Sequence, residues 1–353
     1  MTAALAASDD LLARLGSVVG RRGLPDLEER LADLSALVVD DMTSLEGALQ
    51  ELPNGHSVVH ESAHHLLGQG GKRLRPMCVA LAARCGSGFD HHGREHAVAV
   101  ELVHNATLLH DDVVDLGMVR RGAPAARTIY GNAASIFAGD WLLVEALRRV
   151  RRCRVEGTLD RLLEIIEEMI FAEAIQLENR GVLRPDARTW FRVVEGKTAA
   201  LFRWAMYAGA RTGGLNQAAT AALESFGQHL GVAFQAVDDL LDLTGDTQAT
   251  GKVLFTDLRE GKMTYPLIVA VEREPTLLGL LETIVAGDGS ALDQSDLRDQ
   301  VQAALERTDA AGACKALARD HAAQAVEALR PIPASRAVEA LVTVAEATVH
   351  RDA

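Results

Sequence analysis

Two acidic pentads carry the strongest chemical signal in the sequence: Asp111-Asp112-Val113-Val114-Asp115 and Asp238-Asp239-Leu240-Leu241-Asp242. On a helix, residues i and i+4 share a face, so Asp111 projects with Asp115 and Asp238 with Asp242. Carboxylates one turn apart repel each other unless a cation neutralises them. Hard oxygen donors with room for water suit Mg²⁺, which usually binds through one or two carboxylates together with substrate phosphates. Each pentad closes an apolar stretch (98–109 and 230–241), where negative charge opposes the helix dipole. His104 and Leu108 extend the first acidic stripe and Gln235 the second, and such polar groups on apolar helices need partners. One pentad alone could be only a solvated helix end. A second on another apolar helix weakens that reading and suggests two helices that face each other.

Basic groups stand near these acids in the sequence. Gly70-Gly71-Lys72-Arg73-Leu74-Arg75-Pro76 joins a flexible break to three cations, with Lys72 and Arg75 at i,i+3. Arg forks grip phosphate oxygens bidentately, and Lys adds a point charge. Arg120-Arg121 follows the first pentad, Lys197-Thr198 lies within an apolar stretch, and Lys252 and Lys262 flank the loop after the second. Singly each reads as a solvated or salt-bridged cation; together they are the charges needed to hold two diphosphates beside a metal cluster.

The elements that must position these groups read almost throughout with a period near 3.6 rather than 2. Helices are expected from Pro25 towards Glu51, through Ala83, and over 95–116, 132–153, 158–180, 187–212 and 216–243, with a short one over Met263–Glu272. Pro53-Asn54-Gly55 is a turn, 122–131 and 245–261 are loops, and no convincing strand is found. Of 353 residues 48% are hydrophobic and only 4% aromatic, enough for a large helical core. One all-α domain over 25–353 is the simplest assignment, with 1–24 an extension that need not be ordered. A net charge of −13 argues against a nucleic-acid partner. Four cysteines without a CxxC pair, no signal peptide and no apolar run of membrane-spanning length point to a cytoplasmic protein.

Leu108-Leu109-His110 with the first pentad, followed by Arg120-Arg121-Gly122, resembles the first aspartate-rich motif of trans-polyprenyl diphosphate synthases. Phe234 to Asp242 resembles the second, Gly70 to Pro76 the isopentenyl-binding motif and Lys197-Thr198-Ala199 the Lys-Thr pair. Gly251-Lys252 and Asp257 to Lys262 resemble the loop that follows. The motifs run in family order from about residue 60 to 270. The resemblance implies an isoprenoid-synthase bundle around a deep central cavity, a homodimer, and up to three Mg²⁺ ions, for which Mn²⁺ could substitute. It implies Asp111, Asp115 and Asp238 as metal ligands, with Asp112, Asp239 and Asp242 supporting them. Lys72, Arg75, His104 and Arg121 would bind isopentenyl diphosphate. Arg120, Lys197, Thr198, Gln235, Lys252 and Lys262 would line the allylic diphosphate site. Phe255 stands where the family usually has Gly, so the loop path after Lys252 is not carried over.

In the family, bulky residues four or five positions before the first aspartate stop chain growth. Here they are Thr107 and Ala106, both small, while Trp141 could narrow the tunnel further on. By this analogy the product is long, about C30 to C50, as in quinone side chains, with geranylgeranyl diphosphate the main rival. A lipid product could bring the enzyme to a membrane surface. A terpene cyclase would replace the second pentad with an Asn/Asp-x-x-Ser/Thr-x-x-x-Glu motif, absent from 238–246, and a non-catalytic subunit would lose aspartates or Gly-Gly-Lys. Ala106→Phe is expected to shorten the product in a chain-length assay; an unchanged product would remove the tunnel from this helix.

Overall fold

The computed structural model describes residues 9–244, 254–286 and 295–351. Contacts divide the chain into two compact units that interleave in sequence. One comprises residues up to 163 with 201–226 and 328–344; the other comprises 164–200, 227–327 and 345–353. The all-α class expected from the periodicity holds in both.

In the first unit, α1 (Asp9–Arg21) packs on α2 (Pro25–Gln50), burying Leu15, Val18 and Val19 of the segment 1–24. Residues 1–8 lie outside the described residues. Pro25 at the first turn starts α2 without loss of a helical hydrogen bond. Ser57 caps α3 (Val58–Leu67). Next come α4 (Leu74–Arg84) and α5 (His91–Val114), which Asp90 caps by accepting from the Gly93 N–H at 2.9 Å. Every residue of α5 from His96 to Val103 is buried, as suits a helix wrapped by others. The helices around it include α2, α4 and α7 (Asn132–Cys153).

Helices α4 and α10 (Ala200–Thr212) approach backbone to backbone. A Cβ placed on Gly209 would lie 2.3 Å from the Val79 carbonyl oxygen, and one on Gly213 2.6 Å from that of Ala83. The Trp204 indole donates to the Thr158 carbonyl at 3.0 Å, and His96 Nε2 meets the Thr158 hydroxyl at 3.0 Å.

Two expectations need correction. Residues 119–131 are not plain loop, and the chain does have strands: β1 (Val119–Arg120) pairs antiparallel with β2 (Ala123–Pro124), and α6 (Ala126–Tyr130) follows. The hairpin turns at Arg121 (φ 51°) and Gly122 (φ 77°), both left-handed, which matches the twist of a two-residue hairpin. The helix expected over 187–212 is also interrupted. It runs as α9 (Ala187–Val194), a π-helical turn over Glu195–Ala199, and then α10. A π turn inserts extra backbone and is frequent at functional sites; this one carries Lys197 and Thr198.

The second unit is built on the C-terminal part of α11 (Gln217–Thr244). Val232, Ala236, Val237 and Leu240 pack there with Trp190, Val194 and Ile268. A neighbouring cluster gathers Leu243, Phe255, Leu258, Leu267 and Leu281. Phe255 has φ 60° and is buried. Its backbone thus takes the left-handed conformation that glycine adopts at no cost, while its ring supplies core packing that glycine could not.

Gly209→Ala is expected to destabilise the protein by about 1–3 kcal/mol in urea unfolding, through overpacking of the α4–α10 contact. Unchanged stability would show that the two backbones can part without cost.

Candidate active site

In the first unit the Gly70–Pro76 segment is held by its middle cation. Arg73 sits at φ 47° just before α4, with its side chain folded inward. The guanidinium pairs with Glu46 of α2 at 2.7 Å and, more closely, with Glu101 of α5. Asn105 also donates to Glu101, at 2.9 Å. Burial pushes the Glu101 carboxyl up, but the charges of Arg73 and Arg121, with the Asn105 hydrogen bond, outweigh it and bring it down to about 2. The pair fixes the loop from below. Lys72 on one side is exposed, and on the other the Arg75 guanidinium lies 4.6 Å from the Phe202 ring centre. Arg121, presented by the hairpin turn, donates to the Gly70 carbonyl.

His104 is half-buried on α5, two turns before Asp111. Burial, then the charges of Arg75, Arg121 and Arg73, hold its pKa well below the usual histidine value, so its imidazole is neutral. Residues 70–75, 104 and 121, remote in sequence, therefore meet. Arg73 is matched by two glutamates, and Lys72, Arg75 and Arg121 are the other cations of this group, of a charge type suited to an anion. All four residues expected to bind isopentenyl diphosphate belong to this group.

Asp111 and Asp115 are half-buried at the end of α5. Asp112 is only 1% exposed and turns to the hairpin, where Arg120 Nε donates to its Oδ1 at 2.9 Å. Its other oxygen, Oδ2, is buried without a hydrogen-bond partner among the described residues. Ala106 is buried on α5, and the Thr107 hydroxyl donates to the His104 carbonyl. Trp141 of α7 packs edge-on against His60 of α3, ring centres 4.7 Å apart.

In the second unit the π turn and α11 are joined by a hydrogen-bond relay. The Thr198 hydroxyl donates to Gln235 Oε1 at 2.7 Å, and Gln235 Nε2 donates to Asp239 Oδ1 at 2.8 Å. Asp239 Oδ2 accepts from the Trp190 indole at 2.7 Å and from the Tyr265 backbone N–H at 3.3 Å. Lys197 reaches Glu173 and, at 2.8 Å, Gln176 Oε1. Asp242 accepts from the backbone N–H groups of Thr256 (3.0 Å) and Asp257 (3.2 Å), capping the short helix Thr256–Arg259. Lys262 lies near Glu260 and, at 3.9 Å, Asp257. Asp238 Oδ1 lies 3.1 Å from Nη2 of Arg351. Lys252 lies outside the described residues.

Burial, reinforced by Asp257, pushes both Asp239 and Asp242 up to about 7. Two acids poised between protonated and ionised near neutral pH are what a nearby cation would draw into the ionised form. Lys197, Thr198, Gln235, Asp239, Asp257 and Lys262 line a single cavity of about 190 Å³. Sequence reasoning passed over Trp190 and Arg351, and it named Arg73 and Asp257 only as members of motifs, without a role of their own. Arg73 was hidden in a uniformly basic run, and the others are placed by tertiary contacts that spacing does not reveal.

The carboxylates fit a hard divalent cation by donor type. Among the described residues no group of three or more His, Cys, Asp or Glu side chains is arranged to hold a metal by itself.

A model of the polyprenyl synthetase family matches residues 56–303. The chain belongs to this family. It is 33% identical over 290 residues to the octaprenyl diphosphate synthase of Escherichia coli (strain K12), covering 80% of this chain and 86% of that one. The polyprenyl synthase of Caulobacter crescentus, crystallised with calcium and isoprenyl diphosphate, superposes with a TM-score of 0.85 at 34% identity, covering 91% of this chain and 98% of that one. The decaprenyl diphosphate synthase of Rhodobacter capsulatus gives 0.82 at 30% identity, with the same coverage. The fold is that of the isoprenoid synthases, and the chain is a prenyl-transferring enzyme of the long-chain polyprenyl diphosphate synthase type. No described helix is long and apolar enough to cross a membrane.

Removing Glu101 leaves the buried Arg73 with Glu46 alone. Glu101→Ala is expected to cost about 3–5 kcal/mol of stability at pH 7. Because its folded-state pKa is depressed, the contribution of Glu101 is complete above the ordinary carboxylate range and fades as pH falls towards about 2. A loss below about 1 kcal/mol in denaturant titration would place the pair among those that contribute little.

Proposed function

We propose that the chain extends an allylic diphosphate by successive head-to-tail additions of isopentenyl diphosphate, giving a long all-trans polyprenyl diphosphate. The observation that carries this is the gathering of Arg75 and Arg121 around a neutral His104 on α5, with Lys72 in the same loop as Arg75. It supplies a cationic seat for one diphosphate. Lys197, Lys262 and Arg120 are the proposed cations for the other, with Thr198 and Gln235 orienting it; Lys252 belongs to this set by sequence alone.

Asp111, Asp115 and Asp238 would hold Mg²⁺, with Asp112, Asp239 and Asp242 supporting them. The ion's part is to neutralise the charge that develops on the departing diphosphate. The allylic C–O bond breaks, the isopentenyl double bond attacks C1 to form the new C–C bond, and a proton is then lost from the adduct. The diphosphate just released can take that proton, so no side-chain base is needed. The protein's work is positioning, electrostatic stabilisation and exclusion of water, which would quench the allylic cation.

The small side chains of Ala106 and Thr107 support a product longer than farnesyl. Exposed Ile136, Phe137 and Val144 on α7 support association with a second copy, as a homodimer. A cytoplasmic location, with transient membrane contact for product release, suits an apolar product.

Incubated with isopentenyl and farnesyl diphosphates and Mg²⁺, the purified protein should yield a ladder of linear products by mass spectrometry. Asp111→Ala and Asp238→Ala should each lose on the order of 100-fold or more in turnover while keeping their helical circular dichroism. Full activity of both variants would refute the metal roles. Arrest at twenty carbons would make the enzyme a geranylgeranyl diphosphate synthase.

A further inference from the structure

Asp238 of the second pentad pairs with an arginine, and its partner lies more than a hundred residues away. Arg351 follows the helix Arg336–Thr348 and is only 2% exposed at its side chain, against 35% for Asp238. Its guanidinium is gripped on several sides. It stacks on the Phe234 ring with 3.8 Å to the ring centre, and Nε donates to the Thr348 carbonyl at 3.4 Å. Nη2 donates to the Phe234 carbonyl at 2.8 Å and lies 3.1 Å from Asp238 Oδ1. Phe234 and Asp238 are one turn apart on α11, so a single nitrogen bridges a backbone carbonyl and the carboxylate above it. The neighbouring Val349 packs on the core formed by Val232, Ala236 and Val237.

We propose that Arg351 is a positioning residue for the metal-binding carboxylate of Asp238. The inference rests on the metal role assigned to Asp238 under the proposed function. A buried, stacked guanidinium cannot follow a mobile carboxylate; the carboxylate must come to it. Held through Oδ1, Asp238 keeps one rotamer and offers its second oxygen to a cation. Arg351 also places positive charge beside the acidic end of α11, where the helix dipole disfavours ionised aspartate. Partners that orient a ligating carboxylate in this way typically change metal affinity by about 10–100-fold when removed.

The test is Mn²⁺ binding by the full chain, followed by electron paramagnetic resonance in the presence of a non-ionising thiolo analogue of farnesyl diphosphate. Arg351→Met should weaken Mn²⁺ binding by about 10–100-fold. Arg351→Lys should fall between that variant and wild type. Phe234→Leu, which removes the stacking surface but keeps the arginine, should weaken binding in the same direction and serves if Arg351→Met does not fold. In turnover, half-saturating Mg²⁺ should rise while the KM for isopentenyl diphosphate stays unchanged, a split that general loss of structure would not produce. Unchanged Mn²⁺ binding in Arg351→Met beside impaired Asp238→Ala would overturn this inference alone. Tighter Mn²⁺ binding would overturn it too, making Arg351 a cation that the metal must displace. An Asp238→Ala variant with wild-type Mn²⁺ binding and turnover would remove the metal role of Asp238 and this inference with it.

Discussion

Charge placed at the end of an apolar helix has to be neutralised, and much of the chain serves that requirement. Helices α5 and α11 are apolar enough to be buried, yet both finish in carboxylates where the helix dipole already favours positive charge. Each acid that is fully buried has been given its own solution. Asp112 takes Arg120 from the hairpin, and Asp239 takes the Trp190 indole, the Gln235 amide and the Tyr265 backbone. The less buried acids, Asp111, Asp115 and Asp238, are the ones assigned to bind cations. Acids in the core are bound by protein donors, and of the less buried ones Asp238 is paired with Arg351.

The same logic separates structural from ligand-binding cations. Arg73 and its neighbours Lys72 and Arg75 look equivalent in sequence, but Arg73 is buried and clamped between two glutamates, whereas Lys72 is exposed. Its backbone at Arg73 is left-handed, with φ 47°. Arg121 closes the arrangement by bonding Gly70, and it can do so because the hairpin turn gives it a positive φ. Local backbone strain at two arginines thus assembles a cationic surface that neither segment could form alone.

Long, strongly periodic helices were legible in the sequence: α2, α7 and α11 begin and end within a residue or so of where capping and periodicity put them. The hairpin was not, because two-residue strands carry no alternation and its turn uses Arg-Gly rather than Asn-Gly. The π turn was hidden because five residues of altered winding leave the apolar pattern of 187–212 nearly intact. The motif residues could be named from spacing, but their partners could not. Trp190, Asp257 and Arg351 enter through contacts that no local pattern encodes, and Phe255 shows a glycine-like conformation carried by a residue chosen for the core.

Diphosphate binding measured calorimetrically with and without Mg²⁺ tests the central claim most directly. On the proposed reading that the carboxylates share a cation with phosphate rather than cage one, inorganic diphosphate should bind in Mg²⁺ and much more weakly in chelator, while Mg²⁺ alone should bind poorly. Equal diphosphate binding in chelator, or tight Mg²⁺ binding without diphosphate, would contradict it.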